Sequence, residues 1–218
     1  SGLTQAGRNV ELLALGQIDI DTAIAGRDLT ANSATAGVRA GTLRSGANLT
    51  IGAAQTIDIR SASVGGDLSL TSTGGRIDLG AGSVGGAANI NGAQGVSVDQ
   101  LGAANIALTS PGGDINVGSA NSRTFSAASS SANVSVGSVS ADEVTMTAPG
   151  NVSANALDVG RTVNLAGSRV AASVRATSSA DVGGSITGFG GGMASDVQLR
   201  LNTPYAFRFS NLFTSTGN

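Results

Sequence analysis

The chain has 218 residues, 33 of them Gly, with 40% hydrophobic residues, 3% aromatic residues and a formal net charge of −2. Disordered chains combine low hydrophobicity with high net charge, so this composition excludes disorder, and so few aromatics exclude an ordinary wide core. All 12 basic residues are Arg and they are scattered, which argues against a nucleic-acid surface; no apolar run approaches the roughly 20 residues that span a bilayer.

Taken in order, the chain divides into nine cycles of 18 to 20 residues. They open at Ala6, Ala25, Ser45, Gly65, Gly85, Ala103, Ser122, Ala141 and Gly160, and a tenth opens at Ala180 and then departs from the pattern. Each cycle carries two apolar-x-apolar triplets. The first column reads Val10/Leu12, Leu29/Ala31, Leu49/Ile51, Leu68/Leu70, Ala88/Ile90, Ile106/Leu108, Phe125/Ala127, Val144/Met146 and Val163/Leu165. The second reads Ile18/Ile20, Val38/Ala40, Ile57/Ile59, Ile77/Leu79, Val96/Val98, Ile115/Val117, Val134/Val136, Val152/Ala154 and Val170/Ala172. A weaker third position closes most cycles: Ile24, Leu43, Val64, Val84, Leu101, Val139 and Leu157.

Alternation at period two marks a strand with one buried face. A three-residue strand cannot stand alone, but stacked copies pair above and below and merge their apolar columns into one core. The cycles therefore predict an all-β, right-handed parallel β-helix (a β-solenoid) of about ten coils of 18–20 residues, on the order of 48 Å long at about 4.8 Å per coil. The predicted divisions are a rod over 1–182, then a Gly-rich loop and C-terminal strands over 183–218.

The residues between the apolar ones agree with that register. The middle of the first triplet runs Glu11, Thr30, Thr50, Ser69, Asn89, Ala107, Ser126, Thr145, Asn164, with no large apolar residue. The middle of the second begins Asp19, Arg39, Asp58, Asp78 and ends in small residues. Asn9, Asp28, Asn48, Asp67 and Asn105 precede first triplets, where Asx side chains bond nearby backbone, so a polar ladder is expected there. Gly7, Gly26, Gly46, Gly66 and Gly86 at the cycle starts are read as supplying the tight bend.

The opening Gly-x-Asn/Asp-Leu-Thr/Ser-apolar (SGANLTI, GGDLSL) and the following Gly-x-Ile-Asp-apolar strand (GGRIDL, GQIDI) resemble the haemagglutinin repeats of filamentous-haemagglutinin-type exoproteins, the adhesins of two-partner secretion. The resemblance covers roughly residues 6–179 and speaks to fold and export rather than to one ligand. It implies a secreted or bacterial cell-surface protein, an outer-membrane transporter during export, and a host-cell or surface receptor or glycan as partner. That family's secretion domain carries Asn-Pro motifs, which are absent here, so a piece of the rod is expected rather than the secretion-directing end. Autotransporter passengers have similar solenoids.

Enzymatic sites on β-helices need grouped carboxylates with a base or a bound Ca²⁺. The best candidate is the column Asp19–Arg39–Asp58–Asp78, in which Asp58 and Asp78 fall in successive coils, a separation of about 5 Å that a retaining glycosidase also uses. Stacked polar ladders are nonetheless the default on a solenoid face, and no aromatic lies near to stack a sugar. Without His or Cys, neither a Ser-His-Asp nor a Cys-His arrangement can form, and zinc lacks its usual ligands. Gly74–Asp78 and Gly112–Asn116 only echo the Ca²⁺-binding nonapeptide. No catalytic residue, metal or cofactor is assigned.

Four of the six aromatics fall in the last fourteen residues: Tyr205, Phe207, Phe209 and Phe213. Residues 197–202 and 204–210 alternate as two longer strands joined at Thr203-Pro204, after a Gly188–Gly192 hinge. They are expected to lie over or extend the end of the solenoid, as a cap for exposed strand edges or as docking strands. The expected function is a rod segment of an adhesin, not an enzyme. A polysaccharide-active β-helix and a fibre subunit associating end to end are the alternatives.

Overall fold

The computed structural model describes residues 2–177, 182–191, 193–201 and 207–212. These form an all-β parallel β-solenoid of about ten turns. The strands are β1 (Leu3–Ala6), β2 (Val10–Ala14), β3 (Ile18–Ala25), β4 (Leu29–Ser33), β5 (Val38–Ser45), β6 (Leu49–Ala53) and β7 (Ile57–Val64). They continue with β8 (Leu68–Ser72), β9 (Ile77–Val84), β10 (Ala87–Gly92), β11 (Val96–Gly102), β12 (Asn105–Ser110), β13 (Ile115–Asn121) and β14 (Thr124–Ser129). The last six are β15 (Val134–Thr147), β16 (Asn151–Ala166), β17 (Arg169–Ala176), β18 (Val182–Thr187), β19 (Asp196–Leu201) and β20 (Phe207–Leu212).

Every strand pairs in parallel with its copies one turn away. Leu29 lies beside Leu49, Leu49 beside Leu68, and Leu68 beside Ala88 on the first face. On the second face Ile18, Val38, Ile57, Ile77 and Val96 stand in one file. Both triplet columns point inward as the alternation requires. Ile57, Ile77, Ile115 and Val134 are fully shielded, and Phe125, in the first column, heads the fully buried side chains by volume. Leu12 is the exception; it is half-buried because it lies at the N-terminal end of the stack. Each well-buried Ile or Leu contributes about 1.5–3 kcal/mol, so stability accumulates turn by turn.

The third apolar position needs correction. The long strands before β17 turn a corner by placing two successive residues outward, as at Asp21–Thr22 and Arg60–Ser61, which shifts the inward set by one; β17 places only Ser173 there. The inward file on the third face is therefore Ala23, Leu43, Ala62, Gly82, Leu101, followed one residue pair later by Ala25, Ser45, Val64 and Val84. Ile24 belongs to neither; it is half-buried and outward, beside Arg44.

The corner glycines are also explained differently. Positive φ occurs only at Gly2, Gly95 and Gly190 among the described residues, so the glycines opening the cycles are not there for a left-handed bend. They permit close approach. A Cβ on Gly46 would fall on the Gly26 carbonyl oxygen, one on Gly65 on that of Gly46, and one on Gly85 on that of Gly65. The backbones stack at this corner because nothing protrudes between them.

Toward the C-terminus the rhythm lengthens. Arg169 pairs with Asp196 and Val182 with Phe207, offsets of 27 and 25 residues against 17 to 21 in the preceding turns. β19 stacks on β17 and β20 on β18, so of the two expected arrangements the strands extend the solenoid, and they do so without pairing to each other.

Candidate functional site

The second face carries the only column that suggested chemistry. Register sets Asp19 beside Arg39, Arg39 beside Asp58, and Asp58 beside Asp78. Arg39 Nε approaches Asp58 Oδ2 at 3.4 Å, and Arg76 Nη2 donates to Asp78 Oδ1 at 2.5 Å from two residues earlier on the same chain segment. Each carboxylate of the stacked pair thus has its own guanidinium. Their side chains keep 50% and 35% of their exposure, so water screens both pairs. Shallow depressions flank the column; the larger, of about 570 Å³, is bordered by Asp19, Asp21, Arg39, Asp58 and Arg60. No group of three or more acidic residues among the described residues is close enough to hold a metal ion.

A trough of about 520 Å³ runs along the third face over Leu43, Ala62, Gly82, Leu101 and Ala120. The inward file there is small at Ala62, Gly82 and Ala120, and the space a Cβ would take at Gly82 is held by Leu101 Cδ1. Its rim is largely Ser and Thr, with Arg44, Gln100 and Asn121. Further along the same face, Arg175 makes two bonds to the Asp158 carboxylate, 2.7 Å from Nε and 2.6 Å from Nη2. The hydrogen bond first, and then the charge of Asp158, raise the Arg175 pKa above its ordinary value.

The Asx ladder forms where the cycles predicted it, and its bonds run between turns. Asp28 Oδ1 accepts from the Asn48 backbone N–H at 3.1 Å, Asn48 Oδ1 from that of Asp67 at 3.0 Å, and Asp67 Oδ1 from that of Ala87 at 2.8 Å. A second ladder, not anticipated, links Asp114, Asn133 and Asn151 at the corner before the second face; Asn133 N–H donates to Asp114 at 2.9 Å and Asn151 N–H to Asn133 at 2.8 Å.

Buried serines were missed as well. Ser33, Ser72, Ser110 and Ser129 close first-face strands with 0–2% exposure. Each Oγ accepts the N–H three residues on, and Ser72 Oγ also donates to the Gln55 carbonyl at 2.6 Å. The signal was present as a Ser-x-x-Gly/Ala spacing in a column where other turns carry Ala14 or Ala53. A Ser72→Ala variant leaves the Gly75 N–H and the Gln55 carbonyl without this partner, and denaturant unfolding is expected to show a loss of about 1–3 kcal/mol.

Of the C-terminal candidates, Tyr205 and Phe213 lie outside the described residues. Phe207 and Phe209 lie on β20, at the register positions beside Val182 and Gly184.

The fold and these surfaces define a parallel β-solenoid built from ladders of small polar residues. Comparisons with protein-family models, curated proteins and solved structures give no match to this chain.

Proposed function

We propose that this solenoid is a rod segment of a secreted or cell-surface bacterial adhesin, wound right-handed and built of filamentous-haemagglutinin-type repeats. The observation that carries the reading is the uniformity of the wall. Every large apolar side chain that is well exposed among the described residues lies before Gly16 or after Gly188, and the outward files between them are mainly Ser, Thr, Asn, Ala and Gly. A wall of that kind resists lateral aggregation while holding other elements at a distance. Export past the outer membrane and attachment to a host-cell or surface glycan or receptor follow from the same reading.

Adhesion is tested with fluorescently labelled chain on epithelial cells and on a glycan array. Saturable binding competed by unlabelled chain supports the reading, and absence of binding to both removes adhesion by this segment. The same preparation is expected to release no reducing ends or unsaturated products from pectin, alginate or glycosaminoglycan. Release abolished by Asp58→Asn or Asp78→Asn would replace the adhesin with a polysaccharide-active enzyme.

A further inference from the structure

The corner between the second and third faces alternates charge with glycine in the body of the solenoid. Its outward file runs Gly41, Arg60, Gly80, Asp99, Gly118, so Arg60 and Asp99 each have glycine in the turns on both sides. Backbone stacking requires those glycines, since a Cβ on Gly80 would meet the Arg60 carbonyl oxygen and one on Gly118 that of Asp99. The consequence is a gap over Gly80 with no side chain on its floor and opposite charges at its two ends. It opens as a cavity of about 330 Å³ bordered by Asp58, Arg60, Asp78, Gly80, Ser97 and Asp99. That size falls within the range of small-molecule sites.

The charges of the cavity are unequally satisfied. Asp58 is paired with Arg39 and Asp78 with Arg76. Arg60 and Asp99 are exposed and take part in none of the described ion pairs or side-chain hydrogen bonds. One guanidinium and one carboxylate are therefore left facing the same gap from opposite sides, which is the complement of a zwitterion. Spacing narrows the class. Two turns separate the backbones of Arg60 and Asp99, about 9.6 Å at ~4.8 Å per turn. With both head groups standing over their own backbones, a charge-assisted bond of about 2.8 Å at each end leaves roughly 4 Å between the ligand's ammonium nitrogen and its anionic oxygen. A two-carbon spacer spans that distance, whereas the single carbon of an α-amino acid falls short.

We propose that the gap over Gly80 binds a zwitterion of the phosphoethanolamine class, with its phosphate on Arg60 and its ammonium on Asp99. The planar guanidinium matches phosphate oxygens two at a time. A primary ammonium has three donors, and Asp99, Ser97 and Asp78 offer acceptors along its side of the gap. The group is either a lipid headgroup or a free phosphodiester. The inference goes beyond the adhesin reading and does not depend on it.

The test is a titration of the isotope-labelled whole chain with glycerophosphoethanolamine at low salt, followed through backbone amide shifts. Saturable shifts centred on Gly80 and Asp99 are expected, with a Kd on the order of 1 mM. Arg60→Gln alone and Asp99→Asn alone should each weaken binding roughly fivefold or more, while Arg44→Gln on the third face leaves it unchanged. All three residues are exposed and outside the described ion pairs, so folding is spared, as thermal melts would verify. Ethanolamine alone, inorganic phosphate alone and glycerophosphocholine, whose quaternary ammonium has no N–H, should each bind roughly tenfold more weakly. Pelleting with phosphatidylcholine vesicles only when they contain phosphatidylethanolamine would support the proposal with a lipid as the source. Saturation by the free diester without pelleting would support it with a soluble molecule as the source. No saturation up to about 20 mM, shifts centred elsewhere, binding insensitive to both substitutions, or ethanolamine bound as tightly as the diester would each overturn it.

Discussion

Replacing Ile77 with Asp is expected to cost roughly 4 kcal/mol or more, read as a fall in the guanidinium midpoint and in Tm. Ile77 has no exposure and stands in file between Ile57 and Val96, so the carboxylate would enter a dry column with apolar neighbours on both sides. Its neighbour supplies the contrast. Asp78, one residue later, faces outward and pairs with Arg76 in water, so Asp78→Asn should change stability by less than about 1 kcal/mol. An Ile77→Asp variant as stable as the parent would mean that the alternation is displaced by one residue along the whole solenoid.

The second large effect falls where burial is low. Gly65 is exposed, yet a Val there is expected to cost about 2–3 kcal/mol, because its Cβ would meet the Gly46 carbonyl oxygen and push two turns apart. The same change at Gly7 supplies the control. Nothing lies within 4 Å of a Cβ placed there, since no described residue stacks above it, and Gly7→Val should stay within about 0.5 kcal/mol of the parent. Equal losses at the two positions in thermal melts would point to backbone entropy rather than close approach as the reason for glycine at this corner.

Both substitutions act on a molecule whose interactions are mostly with the next turn. Removal of Ser72 Oγ or displacement of Gly65 therefore disturbs adjacent turns first, and distant turns only through the stack.

The two strong triplet columns were legible because period-two alternation is a local property of the chain, repeated nine times with the same spacing. The first Asx ladder was legible for the same reason: Asn9, Asp28, Asn48 and Asp67 recur at one phase of the cycle. The corner between the second and third faces was not, because two successive outward residues interrupt the alternation there. Val64 and Leu43 then look equivalent in sequence while they occupy neighbouring files, and Ile24 looks inward while it faces out. The buried serines read as ordinary turn residues until Oγ of Ser72 was seen to bridge Gln55, seventeen residues away.

What the sequence determined by itself is the repeat, its register and the polarity of the wall, since each follows from which residues recur at which phase of an 18–20-residue cycle. What only the tertiary structure decided is how the turns meet. The glycines serve contact between backbones, Asp58 and Asp78 on the second face each take their own arginine, and β19 and β20 continue the stack rather than pair with each other. The physical reason is distance along the chain. Contacts between residues about 20 apart depend on where the corners fall, and a shift of one residue at a corner exchanges inside for outside while leaving the local pattern unchanged.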